Sequence, residues 1–253
     1  MPRGVVVNQP HVFVNLINKR KIITILPAYN AAKTLGWTVA DIPRDYVDEI
    51  ILVDDFSNDG TFKLAQKLGL LTWRHDSNLG YGANQKTCYR LALERGADIV
   101  VMLHPDYQYN PKLIPYFVDL INEKYFDVVL GSRIRTRHEA LDGGMPLYKY
   151  YANRFLTFVE NIATGQNLSE WHTGYRAYDK KVLASIDFNK FSDDFVFDSQ
   201  MLFAIVEKKF KIGEIPVPVR YFKNASSVNL KKSLKYGFQT LGIALKYLFV
   251  KRI

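Results

Sequence analysis

Five short apolar runs, each ending in a polar cluster and each followed by a segment of helical period, leave this chain little choice of architecture. "KIITILPAYN" is β-branched and runs to Pro27, and "EIILVDDFSNDG" runs to Asp54-Asp55; "LTWRH", "ADIVVML" and "FDVVLGSR" supply three more. Between them a helix starts over Ala31 to Leu35, and "TFKLAQKLGL" sets Phe62, Leu64, Ala65 and Leu68 at helical spacing. "NLGYGANQKTCYRLALERG" is a glycine-containing turn feeding a helix that stops at Gly96, and "PKLIPYFVDLINEK" is a further helix. This βαβα order predicts an α/β fold with a mainly parallel sheet covered by helices on both faces.

The second half is less regular. A helix is expected from about Lys149 to Ala163, "HTGYRAYDKKVLASI" reads as strand, turn and helix, and "DDFVFDSQMLFAIVEKKF" as a loop feeding a helix. The prolines of "KIGEIPVPVRYF" suit an edge strand. No Pro/Gly/Ser linker divides the chain, so the expected organisation is an N-terminal extension (1–20), one catalytic-sized domain (21–227) and an amphipathic C-terminal helix (228–253). At 253 residues and 48% hydrophobic content the chain can bury one sizeable core.

Charge and cysteine content narrow the partners. Thirty-four Lys and Arg against 25 Asp and Glu give a net charge of +9, which suits a nucleic acid, a phosphorylated ligand or an acidic membrane surface. No nucleic-acid recognition motif accompanies the charge, so a nucleic-acid partner is not expected. Cys88 is the one cysteine, which excludes an internal disulfide and a cysteine-rich metal site and fits a reducing, cytoplasmic compartment. The N-terminal stretch lacks a long apolar run with a cleavage site, so no signal peptide is expected. No stretch reaches the roughly 18 uncharged apolar residues of a spanning helix.

In open α/β sheets ligands bind beyond the carboxyl ends of the strands. Five polar clusters fall there: Pro27 to Asn30, Asp54 to Asp59, Asn78 to Asn84, His104 to Gln108 and Gly131 to Arg137. Asp106 and Gln108 lie two apart just after a strand, and His104 two before. An extended backbone would point all three the same way, as a half-cage for a cation bound to phosphate. A turn stiffened by Pro105, with Asp106 as a helix cap, accounts for the same residues.

The ordered set "ITILPAYNAAKTL", "EIILVDDFSNDGT", "NLGYGANQKTCYRLALERG", "HPDYQYNP", "VVLGSR" and "HTGYRAY" resembles family-two glycosyltransferases of the GT-A fold. The resemblance is closest to the polyprenyl-phosphate (dolichol-phosphate mannose synthase-like) branch and covers roughly Lys21 to Ser227. It implies an inverting hexosyltransferase using a nucleotide diphosphate sugar (UDP- or GDP-linked) and Mg²⁺ or Mn²⁺. Pro27, Tyr29 and Asp55 match positions that hold base and ribose, with Pro105 and Asp106 completing the nucleotide set. Asp106 falls on the second acid of the metal motif, with Gln108 and His104 as further metal candidates. Arg133 and Arg220 match phosphate-facing arginines. Asp198 falls where many members place the catalytic base, with Asp193 and Asp194 as neighbours. His172 could line the acceptor pocket, although a structural hydrogen bond explains it as well.

The chain departs from the family pattern at three places: His104 replaces the first acid of the metal motif, Ala31 an acidic residue after "YN", and "KNASS" a Gly-x-Ser. The expected acceptor is a polyprenyl phosphate, with a saccharide hydroxyl as the alternative within enzymes. A catalytically silent nucleotide-sugar binder is the alternative outside them. A sugar nucleotidyltransferase would need a glycine-rich, basic loop after its first strand, and "ILPAYNAAK" is not one. In the tail, Leu234, Phe238, Leu241, Leu245 and Leu248 share one helical face, flanked by Lys231, Lys232, Lys251 and Arg252. That stripe fits a peripheral contact with the cytoplasmic membrane face, or packing on the domain or on a second subunit of a homo-oligomer.

Overall fold

The apolar runs become β1 (Ile22–Ala28), β2 (Glu49–Asp54), β3 (Leu71–Arg74), β4 (Ile99–Met102) and β5 (Val128–Ser132), joined by β6 (Arg176–Asp179) and β7 (Ile212–Pro216). The structure, a computed structural model, describes residues 20–134, 136–218 and 230–250. The first nineteen positions, which hold nearly all of the expected N-terminal extension, lie outside the described residues, as does Arg220. The helices are α1 (Ala32–Ala40), α2 (Thr61–Lys67), α3 (Tyr81–Glu94), α4 (Ile114–Asn122), α5 (Arg137–Asp142), α6 (Leu147–Thr164), α7 (Lys180–Ser185), α8 (Phe197–Glu207) and α9 (Leu230–Val250).

Strand order is β3-β2-β1-β4-β6-β5-β7. All neighbours pair in parallel except β6, which runs antiparallel to both β4 and β5. Every residue of β1, β4 and β5 is buried, as a strand covered on both faces requires. The period-2 alternation sorts side chains to two cores. Ile23, Ile25, Ile51 and Val53 pack with residues of α3 and α8, and Ile22, Leu26, Ile50 and Leu52 with residues of α1, α2 and α4. The proline-bearing β7 lies at a sheet edge, where Pro216 ends it.

Strand order reverses between β1 and β4, which opens a crevice beyond their carboxyl ends. Because β6 is antiparallel, the segment entering it brings Glu170 to Tyr175 to the same end of the sheet. One helix is new relative to the sequence reading. α5 is capped by Thr136, whose Oγ1 accepts from Glu139 N at 3.1 Å. "TRHE" is a Thr-x-x-Glu capping pattern that could have announced it.

The tail corrects one alternative. α9 packs through Thr240, Ala244 and Tyr247, whereas Leu234, Phe238 and Leu245 of the expected stripe are exposed, with Phe249 beside them. Leu234, Phe238 and Leu245 therefore do not pack on this domain, whereas Leu248 is partly buried against its core. α6 turns Tyr148, Tyr151, Phe155, Phe158 and Ile162 outward at alternating three- and four-residue spacing. Among the described residues no helix is long and apolar enough to cross a membrane.

Candidate active site

At the end of β2 two adjacent aspartates are held by different partners. Asp54 is fully buried, with Oδ2 at 3.2 Å from Arg74 Nε and accepting from Ser57 N, while Oδ1 has no protein partner. Asp55 Oδ1 accepts from His75 Nδ1 at 2.8 Å and Leu79 N at 2.9 Å, and Oδ2 from Gly80 N at 3.0 Å. Three of its roughly four acceptor positions are thus used within the protein, and one remains for a further donor. His75, with Nδ1 donating, accepts from Thr87 Oγ1 at Nε2 (3.0 Å). The sequence showed no partner for His75, because its carboxylate is twenty residues away. Pro27 is in β1, paired with Val53, and Tyr29 follows it with 52% of its surface exposed.

The turn after β4 is not extended. Tyr107 sits at φ 59°, and Asp106 Oδ1 accepts from Gln108 N at 3.0 Å, closing a local turn on itself. The alternation expected for His104, Asp106 and Gln108 is therefore replaced by a bend, and Gln108 is buried. Pro105 is tied down through its carbonyl, which accepts from Thr34 Oγ1 at 2.6 Å and Thr38 Oγ1 at 3.3 Å.

His104 leans over Gly174, so closely that a Cβ there would lie 2.3 Å from its Nε2 and Cδ2. Its Nε2 is 3.1 Å from the hydroxyl of Tyr81, which in turn donates to Asp198 Oδ2 at 2.8 Å. A phenol has one proton. With that proton on the bond to Asp198, the Tyr81 oxygen accepts from His104 Nε2–H, and the lone pair of the imidazole is on Nδ1. Burial pushes the His104 pKa down despite the opposing charges of Asp106 and Asp198, which keeps the ring neutral. Burial, with the nearby charge of Asp198, raises the Tyr81 phenol well above its ordinary value.

Asp198, in the first turn of α8, is almost wholly buried. Besides Tyr81 it accepts from Gln85 Nε2 at 3.0 Å and lies 3.4 Å from the guanidinium of Arg176. Arg176 is itself fully buried and also donates to the carbonyls of Thr173 (2.7 Å), Trp171 (3.2 Å) and Asp198 (3.3 Å). Asp193 serves differently, its carbonyl accepting from Gly82 N at 2.8 Å at the start of α3. Asp194 Oδ2 pairs with Lys235 at 2.6 Å.

Arg133, just past β5, is clasped by the buried carboxylate of Glu170: its N donates to Oε2 at 2.7 Å and its Nε to Oε1 at 2.8 Å, with Nη2 also on Oε1. Nη2 donates as well to the His172 carbonyl at 2.7 Å. Burial would raise the Glu170 pKa, but the Arg133 charge and hydrogen bonds prevail and hold it below the usual carboxylate range. Lys149 of α6 has its pKa lowered by burial and then by the charge of Arg133, which places a second cation near the first. His172 Nδ1 is hydrogen-bonded to Tyr236 of α9 at 2.6 Å, and its Nε2 lies 3.2 Å from buried Glu160 without a hydrogen bond.

Sequence reasoning missed Tyr81, Gln85, Arg176, Glu170 and Lys149. Tyr81 and Gln85 are four apart on one helical face, a spacing that could have paired them, and both reach Asp198. The others find partners only through the topology.

Among the described residues no group of three or more His, Cys, Asp or Glu is placed to hold a metal ion. Asp106 and the Nδ1 lone pair of neutral His104 are a partial set, which fits a cation whose remaining ligands are phosphate oxygens and water. A shallow groove of about 810 Å³ lined by Phe126, Lys211, Ile212 and Tyr247 lies at the opposite end of β5 and β7, away from these residues.

The chain is 28% identical over 239 residues to a UDP-N-acetylglucosamine–dolichyl-phosphate N-acetylglucosaminyltransferase of Methanococcus voltae, covering 87% of this chain and 94% of that protein. It is 27% identical over 209 residues to an undecaprenyl-phosphate mannosyltransferase of Micrococcus luteus, covering 78% and 82%. Among solved structures it resembles glucosyl-3-phosphoglycerate synthase of Mycobacterium tuberculosis in complex with Mn²⁺, UDP-glucose and phosphoglyceric acid, with a TM-score of 0.71 at 19% identity, over 91% of this chain and 80% of that one. The GT-A fold is thereby shown. Residues 23–187 match Glycosyl transferase family 2, and with well over half its length matched the chain belongs to that family and is a glycosyltransferase.

Proposed function

We propose that the protein moves a hexosyl group from a nucleotide diphosphate sugar to a polyprenyl phosphate at the cytoplasmic face of a membrane, with inversion. A phosphate oxygen of the acceptor attacks the anomeric carbon, the bond to the donor diphosphate breaks, and its electron pair leaves with the nucleoside diphosphate. The half-exposed ring of Tyr29 offers a stacking surface for the base, and the remaining acceptor position of Asp55 suits a ribose hydroxyl or base N–H. Asp106 and His104, with Gln108 beside them, would hold Mg²⁺ or Mn²⁺, which would offset the charge of the diphosphate as it leaves. Arg133 and Lys149, joined by Arg220 in the family pattern, supply positive charge for phosphate.

The observation that carries the acceptor class is the state of Asp198. Its two oxygens are already engaged by Tyr81, Gln85 and Arg176, which suits an orienting charge better than a base that must collect a proton. An acceptor that arrives ionised needs no such base. The names of the two relatives point to the same acceptor class.

The outward faces of α6 and α9 support the membrane setting. Their exposed aromatic and aliphatic stripes accompany Arg154, Lys235 and Lys246, and the single acid of these two helices, Glu160, is buried. Two copies of such a face would oppose like charges, whereas an anionic lipid surface complements it.

Radiolabelled UDP- and GDP-sugars offered with dolichyl or undecaprenyl phosphate, and in parallel with saccharides, test the reading. Transfer to lipid phosphate that tolerates Asp198→Asn is expected. Glycosylation of saccharides only, abolished by Asp198→Asn, would replace this acceptor with a hydroxyl. Failure of any nucleotide sugar to bind would leave the silent binder without a ligand as well.

A further inference from the structure

A buried polar cluster lies outside the residues assigned above and joins the C-terminal helix to them. Glu160 of α6 is fully buried, and its Oε2 is 3.2 Å from His172 Nε2. The other nitrogen of the same ring, Nδ1, is 2.6 Å from the hydroxyl of Tyr236 on α9. The approach of Glu160 lacks hydrogen-bond geometry, and Glu160 Oε2 and His172 Nε2 have no hydrogen-bond partner among the described residues, so the Tyr236 hydroxyl is what ties the ring to α9. Burial, then the charge of Glu160, raises the Tyr236 pKa, so the phenol keeps the proton it donates. Ser199 closes the cluster, donating to Glu160 Oε1 at 3.0 Å, with Thr240 Oγ1 3.5 Å away.

Both arms of this cluster end beside the active site. The His172 carbonyl accepts from Arg133 Nη2, and Ser199 directly follows Asp198. The loop carrying His172 is braced from the other side by Glu214 of β7, which accepts from Ser169 N at 2.7 Å and Glu170 N at 3.1 Å. A helix that merely covered apolar surface would need no buried carboxylate, imidazole and phenol at its seam, because such groups are costly to bury, the more so with Glu160 Oε2 and His172 Nε2 left without hydrogen-bond partners.

We propose that Tyr236 and Glu160 are positioning residues: acting through His172 they hold the Arg133 segment in register, so that docking of α9 is a condition for a competent site. The kinetic consequence rests on the transferase reading above; the structural coupling does not. If α9 also meets the membrane, engagement of its outer face and order at Arg133 are linked, and each stabilises the other.

The test uses the full chain with Tyr236→Phe, Glu160→Gln and the double variant, both substitutions keeping side-chain size. Amide hydrogen exchange without ligand is expected to rise across residues 169–174 and at Arg133 in each. Transfer from a nucleotide sugar should show kcat lowered about five- to tenfold, the scale of one hydrogen bond, with donor KM within about twofold. The double variant should lose no more than the worse single one, since both act through one imidazole. Unchanged exchange in the 169–174 segment, or losses that multiply in the double variant, would reduce the cluster to a brace. Thermal unfolding separates these outcomes from global destabilisation, because a brace alone would change melting without the kcat-specific loss. If UDP and GDP, with Mg²⁺ or Mn²⁺, fail to bind while exchange still responds, the transferase reading falls and the coupling stands. Nucleotide binding with unaltered exchange has the opposite meaning.

Discussion

Gly174→Ala is the sharpest perturbation the site offers, because one methyl group is aimed at one ring. The position carries no left-handed φ, so alanine fits its backbone, and the three atoms nearest the added Cβ all belong to His104. At 2.3 Å from Nε2 and Cδ2 the ring must retreat by roughly 1 Å to reach van der Waals contact, which breaks its 3.1 Å bond to Tyr81. Overpacking of this kind costs about 1–3 kcal/mol. In a chain of this size that is a fall in Tm of about 2–12 °C. The ring itself is the obstacle, so in a His104→Ala background the same methyl should cost less than about 0.5 kcal/mol. Calorimetry of the wild type, both single variants and the double variant gives the coupling directly. Equal losses from Gly174→Ala in the two backgrounds would show that His104 does not rest on Gly174, and with it would go the tautomer deduced from the Tyr81 bond.

Asp106→Asn should abolish most transfer while melting normally, and His104→Asp should move metal preference towards Mg²⁺ by supplying a hard oxygen ligand; titration with Mg²⁺ and Mn²⁺ checks both. Asp198→Asn should cost about 3–5 kcal/mol of stability, because it leaves fully buried Arg176 without its carboxylate, yet should slow transfer to lipid phosphate by less than the ~10²–10⁴-fold of a lost general base. Glu170 has a folded pKa below its ordinary value of 4.5, so its pair with Arg133 contributes fully above that pH and is lost as pH falls through the folded value. Glu170→Gln should therefore flatten the stability profile below about pH 4.5, as acid-dependent urea unfolding would show. Replacing exposed Phe238 and Phe249 by serine should weaken flotation with phosphatidylglycerol vesicles and leave nucleotide binding unchanged; an oligomer dissolved by the same change, seen in light scattering, would point to a second copy instead.

What the sequence could and could not show follows from the range of the interactions. β1, β2, β4 and β5 were legible because strands buried on both faces are nearly continuous Val/Ile/Leu runs, and their polar ends fell where an α/β sheet must put a ligand. The antiparallel direction of β6 was not legible. "HTGYRAY" reads as a strand, but nothing local says which way it enters the sheet, and that direction brings Glu170 and His172 to Arg133. The extended geometry expected for the turn after β4 failed for a local reason: a residue at positive φ, Tyr107, interrupts the alternation, and tyrosine announces no such conformation. The stripe on α9 was read correctly as apolar, but the outward direction of Leu234, Phe238 and Leu245 depends on Tyr236, Thr240, Ala244 and Tyr247 winning the packing against the domain.

The departure from the family pattern at His104 has a physical account in its neighbour. Tyr81 has a single proton, and Asp198, locked between Gln85 and Arg176, receives it. An acid in place of His104 would be a second acceptor beside the same phenol, with no proton left for it and a like charge near Asp198. An imidazole resolves that conflict, since it donates from Nε2 to the Tyr81 oxygen and still presents a lone pair at Nδ1. Burial keeps the ring neutral, so no cation is added next to Arg176. A histidine here is thus compatible with a working site when the residue at the start of α3 is a tyrosine that must serve Asp198, and the pair 81 and 104 has to be judged together rather than as one lost acid.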